Sequence, residues 1–200
     1  NIGLIGGNLR DRNGFLTHSG IIFNIFHLPY HIYQGLIKFD NQFITSKSYN
    51  ISAVTGALML TTSKVLNNLR FNTRYQVCGE DIEFCLDIRD KFNREIFYEY
   101  QFSGIHEAET TRSLFGSQNR SYVDKILICL RYIRFIFCSS IENLFREYKY
   151  NQIVHITYKK YKIDKFKSNK NKKWILTHYL FLQYLRFVLF IRKLSFRIII

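Results

Sequence analysis

The chain predicts an α/β domain followed by a basic, amphipathic helical region. Three observations carry this expectation. Short apolar, β-branched runs alternate with helical periodicity through the first half, the pattern of a sheet with helices packed on it. Hydrophobic residues are 47% of 200, enough for one ordinary domain to bury a core. The net charge of +14 sits at one end: residues 1–115 hold 11 Lys and Arg against 11 Asp and Glu, whereas residues 116–200 hold 18 against four. The division is therefore placed at 115/116. Charge asymmetry of this kind suits a tail that meets an anionic surface.

Taken in order, Ile2 to Gly6 reads as a buried strand, and Asp11-Arg12-Asn13-Gly14 as a turn. Residues 15–26, rich in Ile and Phe, read as a second extended segment. Residues 27–50 mix aromatics, polar breaks and the single proline, Pro29, and are expected to form an irregular loop with short strands. His27 and His31 have the i,i+4 spacing that would suit zinc on a helix. Pro29 between them argues against that helix, and no third ligand is evident, so they are read as loop residues. Ile51 to Thr62 reads as one strand around Gly56. Ser63 is the expected N-cap of a short helix, Lys64 to Leu69.

Residues 80–92 give the clearest helix of this half. Ile82, Cys85, Leu86 and Arg89 share one face, with Phe84, Ile88 and Phe92 on a neighbouring stripe. Glu80, Asp81 and Glu83 crowd the first turn, where the helix dipole favours negative charge. Arg94 to Tyr100 and Phe102 to His106 read as two strands. Tyr122 to Tyr148 then shows a long helical pattern with basic residues between apolar ones. Residues 149–173 are rich in Lys, Tyr and Asn.

Residues 174–200 are strongly apolar yet carry Arg186, Arg192, Lys193 and Arg197, so no charge-free run of about 20 residues exists to span a membrane. They suit an amphipathic helix lying in a membrane interface, with Trp174, Tyr179 and Tyr184 as belt residues. Four cysteines (Cys78, Cys85, Cys129, Cys138) form no C-x-x-C pair, and residues 1–20 show no secretory signal. Reduced thiols in a cytoplasmic setting are expected. The chain opens on Asn1 and its only methionine is Met59, so the opening strand reads as entered midway, with a preceding segment missing.

Four motifs follow one another in the chain: Val54-Thr55-Gly56-Ala57-Leu58-Met59-Leu60, then Phe71-Asn72-Thr73-Arg74-Tyr75, then Gly79-Glu80-Asp81-Ile82-Glu83-Phe84-Cys85-Leu86, then Ile105-His106-Glu107. Their order resembles family-2 glycosyltransferases of the bacterial cell-surface glycan type. Upstream, Asn13-Gly14 and Thr17-His18-Ser19-Gly20 also look like that family's acceptor-side region. The match covers about residues 1–113. Leu69-Arg70-Phe71-Asn72 departs from the family's usual Gly-Gly-Phe-Asp, and the phosphate-binding Asp-x-Asp has no counterpart.

The resemblance implies the C-terminal, acceptor-side part of a GT-A mixed sheet over 1–115, with the nucleotide-binding strands upstream. It also implies transfer of a sugar from a nucleotide-sugar donor to a glycan or lipid-linked acceptor, with inversion. Asp81 would be the base and Glu80 its orienting partner. Thr55 and Gly56 would border the donor sugar, and Arg112 would contact the diphosphate. His106 would approach a divalent metal, Mg or Mn, or the diphosphate itself. The implied setting is the inner face of the cell membrane, with peripheral contact through the basic region. A fragment lacking the nucleotide-binding half would be inactive alone, and a catalytically incomplete remnant is the alternative. A nucleic-acid-binding protein is a further alternative: lysines 159, 160, 162, 165 and 167 alternate with Tyr158, Tyr161 and Phe166. It leaves the first half unexplained.

Overall fold

The computed structural model describes residues 1–23, 28–34, 47–75, 77–107 and 118–132, together with Tyr148, Leu180, Gln183, Tyr184 and Phe187. The chain divides into two compact units, Asn1–Cys138 and Ser139–Ile200.

The first unit is a curled mixed sheet with helices. Strand β1 (Ile2–Arg10) is its centre. Its side chains are buried on both faces, which is why the sequence shows an apolar run there and no alternation. Strand β7 (Glu95–Ile105) lies parallel to it on one edge. On the other edge, β6 (Met59–Thr61) pairs antiparallel with Leu4–Gly6, and β2 (Leu16–His18) pairs antiparallel with Leu9 and Arg10. Strand β5 (Tyr49–Ile51) closes the far side against β7. A separate two-stranded ribbon joins β3 (Ile21–Phe23) to β4 (Pro29–His31) and touches the main sheet through an Ile21–Ala53 bridge.

Several expectations are corrected. The extended segment begun at residue 15 is two strands, broken at Ser19-Gly20, where Gly20 takes φ 117° and swings the chain to the second ribbon. The strand expected over 51–62 is interrupted between β5 and β6 because the amides of Thr55 and Gly56 bond to side chains instead of a neighbouring strand. Helix α1 (Ser63–Asn68) starts one residue early, and its cap is Thr62, whose hydroxyl accepts from Val65 N at 3.4 Å. The two strands expected over 94–106 are the single strand β7. Its pairing to β1 jumps from Gly7↔Glu99 to Asn8↔Ser103, so Tyr100–Phe102 bulge out while the strand continues.

Helix α2 (Glu80–Phe92) forms as expected, but every residue from Ile82 to Ile88 is buried. Its apolar side packs into the core with Leu4, Val54, Ile96 and Tyr98. Cys85 belongs to this core: its thiol bonds to Val54 O and receives Val54 N, and burial raises its pKa, so it stays a protonated packing group. Helix α3 (Gln118–Arg131) begins four residues before the predicted start at 122; residues 133–147 lie outside the described residues.

One side of α3 faces the domain. Asp124 accepts from Val77 N and Cys78 N at 3.0 and 3.3 Å, Ile128 is fully buried, and Arg131 reaches Glu83 at 2.6 Å. Tyr132 follows with a hydroxyl bond to Asp87. A neighbouring side carries Val123, Ile126, Leu127 and Leu130, all exposed at i, i+3, i+4, i+7 spacing. In the second unit, Leu180, Tyr184 and Phe187 are helical and exposed, whereas Trp174, Tyr179 and the Lys159–Lys167 run lie outside the described residues. No helix among the described residues is long and apolar enough to cross a membrane.

The sheet depends on the absence of a side chain at Gly7. A Cβ there would stand 2.3 Å from Leu58 Cδ2 and 2.5 Å from the backbone oxygen of Phe102. Backbone on the β7 side cannot yield without breaking the bulge. Gly7→Ala is expected to destabilise the first unit by about 2–3 kcal/mol, as overpacking of a tight site does. Urea unfolding followed by circular dichroism measures this; a midpoint unchanged from the parent would contradict the packing.

Candidate active site

The candidate site assembles from the C-terminal end of the central sheet and the N-terminus of α2. A cleft of about 460 Å³ is lined by Thr55, Glu80, Asp81 and His106, which come from three separate stretches of chain. Gly56 joins them through its amide, which donates to Asp81 Oδ2 at 3.0 Å. Arg112 lies outside the described residues.

Asp81 is held from several directions. Its Oδ1 accepts from Ile82 N at 2.8 Å, its Oδ2 from Gly56 N, and the Thr55 hydroxyl also bonds to the carboxylate. Each of these favours the charged form, as does the start of the helix. Burial acts the other way and dominates, raising the Asp81 pKa above the ordinary carboxyl value. The helix-terminus expectation of a favoured carboxylate is thus reversed in its net sign: Asp81 is a fixed carboxylate of increased basicity.

The same helix is locked from behind by a second set of polar contacts. Buried Glu83 accepts from Asn72 Nδ2 at 2.9 Å, from the Tyr75 hydroxyl and from Arg131. One turn on, Asp87 accepts from Tyr132 and pairs with Lys91 at 3.0 Å. Two buried carboxylates at i,i+4 would repel and would be costly to desolvate; here each has charged or hydroxyl donors. They fix the rotation of α2 and with it the direction in which Glu80 and Asp81 point. Asn72 and Tyr75 are thus supports of this helix.

His106 follows β7, and its amide donates to Arg10 O at 2.8 Å. Its neighbour Glu107 accepts from Arg12 N at 3.1 Å, which ties the β1–β2 turn to the end of β7. Among the described residues no group of three or more His, Cys, Asp or Glu is arranged to hold a metal ion. His106 therefore has no ligand set around it among those residues.

Three further residues belong to this site, to none of which the sequence assigned a role in it. His18, in β2, is 1% exposed. Its Nε2 accepts from Thr55 N at 3.2 Å, and its Nδ1 lies 2.9 Å from His31 Nδ1. A ring nitrogen that accepts from a backbone N–H carries no proton, so His18 is the Nδ1–H tautomer and donates to His31. His31, read above as a loop residue, is on β4 and lines the cleft; His27 lies outside the described residues. Thr17 also lines it, and its buried hydroxyl finds no partner among the described residues. A lone His in a short apolar strand was the available signal, but only the pairing of β3 with β4 brings His31 to it.

Burial lowers the His18 pKa well below the ordinary imidazole value, and the nearby His31 and His106 add to the effect. The unfolded chain therefore takes up this proton first as pH falls. The contribution of neutral His18 to stability is complete above pH 6.5 and is lost below it, with a limiting slope of about 1.4 kcal/mol per pH unit. Urea unfolding from pH 8 to pH 5 should show that decline, and His18→Gln, which has no proton to gain, should flatten it. No family model, no curated protein and no solved structure matches this chain.

Proposed function

We propose that the chain is the acceptor-side part of an inverting glycosyltransferase of GT-A type. It would move a sugar from a nucleotide-sugar donor to a glycan or lipid-linked acceptor at the inner membrane face. The observation that carries this reading is the convergence of Thr55, Gly56, Glu80, Asp81 and His106 on one cleft, from positions up to half the described domain apart in sequence. The motif order of the chain supplies the chemistry to which that convergence is assigned.

Asp81 takes the proton of the acceptor hydroxyl as its oxygen attacks the anomeric carbon. The new carbon–oxygen bond forms while the bond to the nucleoside diphosphate breaks, and the diphosphate leaves with that electron pair. A carboxylate with a raised pKa is the better base for a hydroxyl, and the bonds from Gly56, Ile82 and Thr55 hold it in one orientation. Glu80 orients the acceptor, the Thr55–Gly56 turn borders the donor sugar, and His106 and Arg112 serve the diphosphate side. The exposed apolar stripe of α3 and the excess positive charge of residues 116–200 support a peripheral contact with anionic lipid.

Asp81→Asn keeps the shape of the side chain and removes the base. It is expected to lower sugar transfer by about 10²–10⁴-fold, with the circular dichroism spectrum unchanged. The assay supplies labelled nucleotide sugars and a membrane lipid extract to the complete protein. Undiminished transfer by a folded Asp81→Asn protein would overturn the assignment.

A further inference from the structure

Thr55 and Gly56 offer consecutive amides in opposite service. The Thr55 N–H is taken by His18 Nε2 at 3.2 Å, and the Gly56 N–H by Asp81 Oδ2 at 3.0 Å. The Thr55 hydroxyl bonds to the same carboxylate. The turn bearing both amides joins no strand ladder, so its orientation rests on what its side chains and amides touch. On one side that anchor is a fully buried imidazole, set into β2 between Thr17 and Ser19. The Ser19 hydroxyl donates to Ile32 O at 2.8 Å, fixing the backbone behind it.

We infer that His18 is a positioning residue for Asp81: as a neutral imidazole whose tautomer is set by His31, it holds the Thr55–Gly56 turn so that Gly56 N–H and the Thr55 hydroxyl aim at the carboxylate. The inference rests on the reading of Asp81 as the base. The chain of bonds has a direction. His31 Nδ1 accepts from His18 Nδ1–H, which leaves His18 Nε2 bare to receive Thr55 N–H. Without the His31 acceptor, the buried Nδ1–H would lack a partner, and the alternative tautomer would present N–H against N–H at Thr55. The turn would then be released, and Asp81 would lose donors that stabilise its charge.

The test reads Asp81 directly and requires no substrate. Its carboxyl carbon is followed by NMR through a pH titration of the full chain, together with the Gly56 amide proton. In His18→Leu, the Asp81 midpoint is expected to rise by about one pH unit as the donors are lost, and the Gly56 amide signal to move to the field of an unbonded amide. His18→Gln, whose carbonyl can accept from Thr55 N–H, should bring both back toward the parent. His31→Phe keeps His18 in place but removes its acceptor, and should shift Asp81 in the same direction as His18→Leu; it also covers the case in which His18→Leu does not fold.

A folded His18→Leu or His31→Phe protein with Asp81 and Gly56 unchanged, or with the Asp81 midpoint lowered, would overturn the inference. So would a His18→Gln protein that behaves as His18→Leu does. In the transfer assay, His18→Leu should lower kcat at nearly constant KM and move the acidic limb of the pH profile upward. Active Asp81→Asn would defeat the glycosyltransfer reading, whereas inactive Asp81→Asn with an unaltered His18→Leu profile would defeat only the role of His18.

Discussion

Close approach to the central strand is the constraint on which the site depends. At Gly6 a Cβ would lie 2.4 Å from Val54, and at Gly7 as little as 2.3 Å from Leu58, so β1 presents bare backbone where the 54–58 turn must lie. Val54 is buried there and also clasps the Cys85 thiol of α2. With Val54 and Leu58 seated on the strand, the intervening Thr55 and Gly56 are lifted toward the helix N-terminus and the β2 strand. A side chain at either glycine would move the turn by more than the length of a hydrogen bond can absorb.

The second requirement is electrostatic. Helix α2 carries Glu80, Asp81, Glu83 and Asp87 in its first turns; Glu83 and Asp87 are buried in the domain and Asp81 is half-buried. Asn72, Tyr75, Arg131 and Tyr132 supply the donors that make the burial tolerable, and they come from the loop before the helix and from α3 after the sheet. Asp124 then ties the Val77–Cys78 amides to α3, so the loop leading into the acidic pair is held at both ends. The acids that face the cleft and those that face away are thus separated by helix rotation: Glu83 and Asp87 anchor, Glu80 and Asp81 are presented.

Much of the α/β character was legible in the sequence, because the 80–92 periodicity, the acidic first turn and the apolar run at residues 2–5 are local signals. What was not legible was everything set by contact between distant segments. The break between β5 and β6 could not be foreseen, since the run over 51–62 looks like a strand until β2 and α2 claim its amides. Strand β7 reads as two because Tyr100–Phe102 interrupt the alternation, and only pairing with β1 shows that they are a bulge. Asp81 stands out in the sequence as an acid in a helix first turn, but the sign of its pKa shift depends on burial that no spacing encodes. His18 and His31 are thirteen residues apart across a turn to a different sheet, and no periodicity links them.

Strand β1 also carries a consequence for how the chain acquires its structure. Its parallel partner begins some ninety residues later, with Ile2 paired to Glu95. A parallel ladder between such distant segments closes a long loop before any pairing energy is returned. As synthesis proceeds from the N-terminus, an apolar strand made to be covered on both faces waits for β7 to emerge, with its edge open to other strands. Strands β2 and β6, antiparallel to β1 and closer to it in sequence, close shorter loops than β7 does. The cleft takes side chains from β2, from the start of α2 and from the residue after β7, so it is complete only once β7 has joined β1.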